Sequence, residues 1–366
     1  MTLRLRARPS TLNQPSLGTI ESSFGLAGAE LAEHAKKISF FCLSAVFAVF
    51  AFSDTAAAQY SVRRTPDLVR LEDTARQMVV AIAPSAGNLT REMTVKGHNI
   101  LGPQGIPFLA PWANRLDEQA FYANGKRYAF DMQLGNVRGP RPIHGFLAAA
   151  KWEVVEAKAD AGSAWVTSRL EFFKQPDWMA QFPFAHTISI THRLKDGALD
   201  VAVELRNLSA EPMPVAIGFH PYFRVDDAPR DDWTIGVGAK TEWLLSPDKI
   251  PTGETRPIEH RFPDPRGAVL REHDLDHVFA DLTRDSSGLA AMSLAGKSQR
   301  VEVLFGPGYR AAVIYAPKGR DFICFEPMAG ITDSMNLAQL GLYKELQHVA
   351  PGGTWQEHFV VRPSGF

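Results

Sequence analysis

HTISITHRLKDGALDVAVELR, residues 186–206, decides the fold class. In its first half Ile188, Ile190, His192 and Leu194 share one face, and Thr187, Ser189, Thr191 and Arg193 share the other. Leu199, Val201, Val203 and Leu205 then repeat the alternation against Asp200, Ala202, Glu204 and Arg206. Side chains alternating at period two belong to a strand with one buried and one wet face. Asp196-Gly197 between two such runs has the composition of a tight hairpin turn. The stretch therefore predicts an antiparallel β-hairpin.

The same period spreads outward. Val166, Ser168, Leu170 and Phe172, set against Thr167, Arg169 and Glu171, read as a third strand. Val301–Phe305, Ala311–Tyr315, Phe322–Phe325 and Trp355–Val361 read as further short strands. Helical signals are few: Ser334–Leu346 has mixed apolar spacing that suits a turn or two. The 25 prolines and 28 glycines fall at strand-like intervals, and no repeat, low-complexity block or composition break divides residues 59–366. Many short strands, regular turn signals and little helix predict an all-β fold, a large antiparallel β-sandwich forming one domain over 59–366. A sandwich of that size has a sheet face broad and curved enough to hold a ligand.

Composition narrows the function. With 45% hydrophobic residues in 366, the chain has ample material for a core, which excludes the disordered and fibrous classes. Its 39 basic and 40 acidic side chains leave a net charge of -1, so nothing electrostatic points to nucleic acid or an anionic membrane. Neutral small molecules fit that balance better.

The N-terminus reads as a processing segment. Lys36 and Lys37 precede the apolar run Ile38–Phe52, which has the length of a signal-peptide core and is short for a membrane span. Ala56-Ala57-Ala58 supplies a small-x-small cleavage site, which makes Gln59 the expected mature N-terminus. Residues 1–58 are thus an extension plus signal peptide (about 36–58), and the mature chain is exported to the periplasm without stable membrane insertion. Cys42 leaves with the leader, and Cys324 alone cannot form an internal disulfide.

Five places combine polar or titratable residues with aromatic, Gly or Pro neighbours. They are Asn114-Arg115 in Pro111–Arg115, His144 in Pro142–Phe146, His220 in Gly218–Phe223, Asp276 in Leu275–Phe279, and Glu326 in Cys324–Met328. His220 is an imidazole among rings, suited to passing a proton near neutrality, and the rings could wall a sugar or other amphipathic molecule. Glu326 ends the apolar run Phe322–Phe325, where a buried strand prefers a hydrophobe. A carboxylate there must be paired, solvated in a cleft or functional, and partial burial raises its pKa toward that of a general base. Taken singly, each also has an architectural reading. Glu326 could turn into water at a strand end, and His144 could be a hydrogen-bonded loop residue. Asn114-Arg115 could form a surface salt bridge, His220 a corner before Pro221, and Asp276 a turn cap.

Other chemistries fare worse. His273 and His277, with Asp274 and Asp276 between them, lack an H-E-x-x-H pattern and suit a solvated turn better than a metal site. Cys324 lies in an apolar run that disfavours a thiolate nucleophile. Neither a G-x-S-x-G elbow nor a G-x-x-x-x-G-K-[ST] loop is present, and Arg138-Gly139-Pro140-Arg141 reads as a loop.

Taken in order, the five places resemble the aldose 1-epimerase (galactose mutarotase) family from about residue 66 to the C-terminus. The resemblance rests on Asn114-Arg115, Ile143-His144-Gly145, Gly218–Phe223, Asp276-His277-x-Phe279 and Phe325-Glu326, with Pro351-Gly352-Gly353-Thr354 before a last alternating strand. It implies a galactose mutarotase-type β-sandwich with the sugar on a concave sheet face. By the same resemblance Glu326 is the base that takes the anomeric hydroxyl proton and His220 the acid that protonates the ring oxygen. His144, Arg115, Asp276 and Asn114 would hold the sugar, and no cofactor or metal is needed. The partner is a small-molecule sugar, and the protein is expected as a monomer or weak dimer. Reference pKa values near 4.3 and 6.5 would leave the glutamate ionised and the histidine partly protonated at pH 7. Pro111 and Trp112 stand where the family often has Gly-Arg, and Phe146 where it often has a second glycine. His144-Gly145-Phe146 with Trp152 also resembles the hexose-6-phosphate 1-epimerases, in which case Arg138 and Arg141 would serve a phosphate. Two further classes stay in play: a non-catalytic carbohydrate-binding protein on the same fold, and a glycoside hydrolase pairing Glu326 with Asp276.

Overall fold

Residues 186–206 form the predicted hairpin. In the computed structural model, which describes residues 58–133 and 137–366, strands His186–Lys195 and Ala198–Asn207 pair antiparallel from Lys195 opposite Ala198 to His186 opposite Asn207. Asp196 and Gly197 take φ of 51° and 77°, the left-handed pair that a two-residue turn between right-twisted strands requires. Ile188, Ile190, His192 and Leu194 are buried together with Leu199, Val201, Val203 and Leu205.

This hairpin sits inside a nine-stranded antiparallel sheet. Its spatial order is Glu153–Ala159, Ala164–Glu171, the hairpin, Thr354–Ser364, Arg300–Phe305, Ala290–Ala295, Thr234–Val237 and Ala268–Val269. A second sheet of eight strands carries Leu275–Ala280, Ala311–Ala316 and Ile323–Met328 as neighbours, followed by Gly218–Phe219 and Phe108–Leu109. The short strand Tyr222–Phe223 pairs with Ile323–Met328 as well. A third sheet, of five strands, runs from Tyr60–Arg64 to His98–Asn99.

The main core draws on both large sheets. Val303, Phe305, Phe359 and Val361 from one share a cluster with Phe219, Phe223, Phe279, Ile314 and Phe325 from the other, and the Phe219 and Phe359 rings lie 4.9 Å apart. Because strand side chains alternate, Val278, Val313 and Met328 of the eight-stranded sheet point the opposite way. They join a second cluster with Leu109, Ala113, Ile331 and Leu337. The eight-stranded sheet is thus buried on both faces over part of its length, and polar side chains that project beside the second cluster stand in a semi-enclosed place.

The turn or two of helix expected within 334–346 is Ser334–Gln339, and it stops there because Leu340 and Leu342 turn outward instead of continuing the buried face made by Met335 and Leu337. A short helix at Pro176–Gln181, with proline in its first turn, had no periodic signal. The apolar run Ile38–Phe52 lies outside the described residues, as do Ala56 and Ala57. Among the described residues no helix is long and apolar enough to cross a membrane.

Candidate active site

Three adjacent strands bring the chemistry to one face of the eight-stranded sheet. Val278 pairs with Val313 and Val313 with Glu326, so the cross-strand neighbours Asp276 and Tyr315 project on the same side as Glu326. Gly218 pairs with Met328 and Tyr222 with Cys324. His220, midway between them in sequence, is thereby set beside Glu326. Two loops complete the site. Arg115 bridges to Ile143, and Ala110 to Gly145, tying 110–115 to 143–145. Gly145 has φ of 60°, and a Cβ there would lie 1.9 Å from the Ala110 carbonyl oxygen, so only glycine lets the loops approach this closely.

All six residues singled out from the sequence line one cavity of about 360 Å³: Asn114, Arg115, His144, His220, Asp276 and Glu326. Asn114 and His144 both adopt left-handed backbone, with φ of 57° and 59°. They hold each other there. The His144 peptide N–H donates to the Asn114 carbonyl at 2.9 Å, and the Asn114 peptide N–H donates to His144 Nδ1 at 3.1 Å. With Nδ1 accepting, the neutral ring carries its proton on Nε2. Burial, with the Arg115 and Arg138 charges adding to it, pushes His144 down to about 4. At neutral pH it is a fixed hydrogen-bond donor and no acid. Arg115 donates through Nη1 to Asn114 Oδ1 at 3.0 Å and through Nη2 to Asp276 Oδ2 at 3.3 Å, which fixes its guanidinium in the cavity.

His220 Nε2 lies 3.1 Å from Glu326 Oε1. The carboxyl is 1% exposed and the histidine 8%. Burial, assisted by the Asp276 charge, raises the Glu326 carboxyl well above its ordinary value, while Arg115 pulls the other way. Burial also pushes His220 well below its ordinary value, with His144 and Arg115 acting in the same direction. Free-solution values therefore do not describe this pair. Both groups are driven toward their neutral forms, and they stand close enough for a proton to pass between them. Tyr222 stacks on His220 at 4.5 Å, and Tyr315 meets it edge-on at 5.9 Å. Of the rings that flank His220 in Gly218–Phe223, Tyr222 reaches the cavity, while Phe219 and Phe223 pack in the main core.

Some cavity residues were not legible. Tyr315 read only as the end of an apolar strand, although its position before Ala316-Pro317, as the one polar-tipped ring in Ala311–Ala316, was the available signal. Val137 lines the cavity too, and so does Arg138, one of the two arginines that the hexose-6-phosphate 1-epimerase resemblance would give to a phosphate. Arg141, in contrast, is held by Asp117 at 2.8 Å and Asp248 at 3.1 Å. His273 and His277 diverge: the first packs edge-on against Phe262, and the second points Nε2 toward Glu242 at 3.9 Å. Cys324 is buried, and burial raises its thiol well above the usual range.

A wider trough of about 610 Å³ crosses the outer face of the nine-stranded sheet, lined in part by Thr167, Thr191, Glu204, Gln356 and His358. Its polar groups satisfy one another, Thr167 with Thr191 at 2.9 Å and Gln356 with Glu204 at 2.6 Å. That is the pattern of a solvated sheet face. The smaller cavity, with its buried Glu326 and His220 in contact and both shifted from their ordinary values, is the better candidate for chemistry.

Solved structures with this architecture include the galactose mutarotase-like protein of Clostridium acetobutylicum. It matches with a TM-score of 0.74 at 21% identity, over 84% of this chain and 98% of that one. Galactose 1-epimerase from Lactobacillus acidophilus gives 0.66 at 15% identity, over 84% and 98%. The aldose epimerase homologue from C. elegans gives 0.63 at 18% identity, over 79% and 96%. At such identities the likeness speaks for the fold, which is the antiparallel sandwich expected from the many short alternating strands of the sequence. The sequence match is more specific: residues 69–362 match the aldose 1-epimerase family, and the chain belongs to it.

Proposed function

We propose that the protein interconverts the α and β anomers of a free aldose by acid–base ring opening and reclosure. The observation that carries this reading is the buried Glu326 carboxyl 3.1 Å from His220 Nε2, in a cavity with Arg115, His144 and Asp276. Mutarotation moves one proton off O1 and one onto O5, two oxygens bonded to the same carbon. A base and an acid in mutual contact can reach both. Because the pair holds a single proton, shifting it from carboxyl to imidazole creates the carboxylate and imidazolium together. Glu326 then takes the O1 proton as C1–O1 becomes a carbonyl, the C1–O5 bond breaks, and His220 Nε2–H protonates O5. Rotation about C1–C2 and the reverse steps on the other carbonyl face give the second anomer, with both groups restored. His144 Nε2–H and the Arg115 guanidinium supply donors for sugar oxygens, and Asp276 an acceptor for a hydroxyl. These steps use side chains alone.

The leader read in residues 36–58 would put this activity outside the cytoplasm, where free sugars are the available substrates. NMR anomer exchange across a panel of hexoses and pentoses tests the proposal. The expected result is exchange catalysed by the parent and lost in Glu326→Gln and His220→Asn. Binding without exchange would favour a non-catalytic carbohydrate-binding role, and new reducing ends from an oligosaccharide would favour hydrolysis. The hydrolase reading is weakened by Asp276, which is engaged with Arg115, while the partner of Glu326 is His220.

One observation supports a phosphorylated substrate as the second reading. Arg138 lines the cavity and makes no ion pair among the described residues, so its guanidinium is available to an anion. If it serves one, Arg138→Gln lowers kcat/KM for a hexose 6-phosphate at least tenfold more than for the free hexose, on the order of one lost charge-assisted contact.

A further inference from the structure

We propose that Asp333 is a positioning residue of the epimerase reaction, clamping the Arg115 segment from outside the cavity. This rests on the reading above, in which Arg115 holds the sugar. Asp333 does not line the cavity and is 2% exposed. Its peptide N–H donates to the Arg115 carbonyl at 3.1 Å, and its Oδ1 accepts the Asp117 peptide N–H at 3.0 Å. These two bonds grip the backbone on either side of Leu116. The same Oδ1 accepts from Asn336 Nδ2 at 2.8 Å, and that amide also donates to the Ala120 carbonyl at 3.2 Å. Asp333 and Asn336 together thereby tie residues 115–120 to the chain that follows Glu326.

Two features separate this residue from an ordinary helix cap. Asp333 occupies the N-cap position of Ser334–Gln339, where an aspartate usually accepts a peptide N–H of its own first turn, yet its side chain makes no such bond. It reaches across to the loop instead. Its backbone also takes φ of 59°, a conformation seldom adopted by residues other than Gly, Asn and Asp. Both departures serve the contact with residues 115–117. What the clamp protects is the Arg115 guanidinium, held 3.0 Å from Asn114 Oδ1 and 3.3 Å from Asp276 Oδ2. Hydrogen bonds tolerate only a few tenths of an ångström, so a shift of the Arg115 backbone removes that alignment.

The clamp needs an acceptor more than a charge. Burial pushes the Asp333 carboxyl up to about 7, against the pull of its hydrogen bonds from the Asp117 peptide and Asn336 and with the Asp117 and Glu118 charges adding to the rise. Asparagine at this position keeps both the acceptor oxygen and tolerance of the left-handed backbone. Glycine keeps the backbone and the N–H but loses the oxygen.

The experiment is a double-mutant cycle on anomer exchange, with melting curves confirming that each variant is folded. Asp333→Gly is expected to lower kcat/KM roughly 10- to 100-fold, on the scale of a misplaced binding group, and Asp333→Asn to stay within about threefold of the parent. In an Arg115→Ala background Asp333→Gly should cost less than about twofold more, since the group it positions is gone. Equal losses in both backgrounds would overturn the proposal by showing a general structural role. So would an inactive but folded Asp333→Asn, which remains informative if Asp333→Gly fails to fold. If the parent itself exchanges no sugar in the panel, the functional reading fails. The clamp is then decided by the Arg115 guanidinium NMR signal, which should broaden or average in Asp333→Gly. An unchanged signal overturns the clamp.

Discussion

Replacing Glu326 by glutamine removes the proton acceptor while leaving almost everything else about the site intact. The side chain keeps its length and shape, so the surrounding packing has no cavity to fill. Its amide can donate to His220 Nε2 across the same 3.1 Å contact. The chemical loss is large by comparison. A positioned base contributes on the order of 10²–10⁴ in rate, about 3–6 kcal/mol at 1.4 kcal/mol per decade. The paired geometry adds a second loss. Glutamine cannot hand a proton to the imidazole or balance an imidazolium, so His220 stays neutral and the acid disappears with the base. Glu326→Gln should therefore fall at the severe end of that range. His220→Asn should resemble it, and the double variant should lose little more than the worse single one, because the two act as a unit. Saturation-transfer NMR on an equilibrated aldose reads the exchange rate directly, and a melting curve checks the fold. A folded Glu326→Gln that keeps more than about a tenth of the parental rate would refute Glu326 as the base.

Further outcomes follow from the same geometry. kcat/KM should be bell-shaped in pH, since only the singly protonated pair works. The acid limb should lie well below 6.5, because a second proton must charge the buried His220, and the alkaline limb well above 4.5, because losing the proton charges the buried Glu326. An acid limb near 6.5, the ordinary imidazole value, or an alkaline limb near 4.5, the ordinary carboxyl value, counts against the pairing. Stability should fall with acid, since burial holds His186 and His192 at about 4 and the unfolded chain binds those protons at 6.5. The loss begins as pH drops below 6.5 and is complete below 4, about 2 kcal/mol per histidine at pH 5. His192→Leu should flatten the difference between urea midpoints at pH 7 and pH 5, and an unaltered difference would rule out His192 as a source. Gly145→Ala should cost at least about 1–3 kcal/mol and displace His144, because its Cβ would overlap the Ala110 carbonyl on a backbone of φ 60°. A parental melting curve would contradict the loop packing.

Legibility in the sequence tracked how local the controlling physics is. Residues 186–206 were readable because alternation and an Asp-Gly turn are both written within 21 consecutive letters. Glu326 and His220 stood out since each violates its neighbourhood, a carboxylate closing an apolar strand and an imidazole among rings. Tyr315 and Asp333 violate nothing nearby. Tyr315 enters the cavity only through its pairing with Asp276 and Cys324, and Asp333 acquires its role only when the chain returns beside Leu116. Where within 334–346 the helical turns would end was not legible for a related reason. Whether Leu340 has anything to pack against is decided by the tertiary neighbours, and it is 69% exposed.

The charge states were the least legible part, although the residues themselves were found. Reference pKa values make Glu326 ionised and His220 partly protonated at pH 7, and burial favours the neutral form of both. Desolvation pushes a carboxyl up and an imidazole down, and the two groups stand 3.1 Å apart, within reach of a proton passed between them. An exposed pair would rest as carboxylate and imidazolium, each stabilised by water that the sugar would first have to strip away. The buried pair has no such water to lose, and its ionised form need arise only against the polar sugar that uses it. On this argument the burial of Glu326 is part of the catalytic device. A substitution that opened the Tyr222–Tyr315 wall to water should lower the rate while leaving Glu326, His220 and their 3.1 Å contact in place.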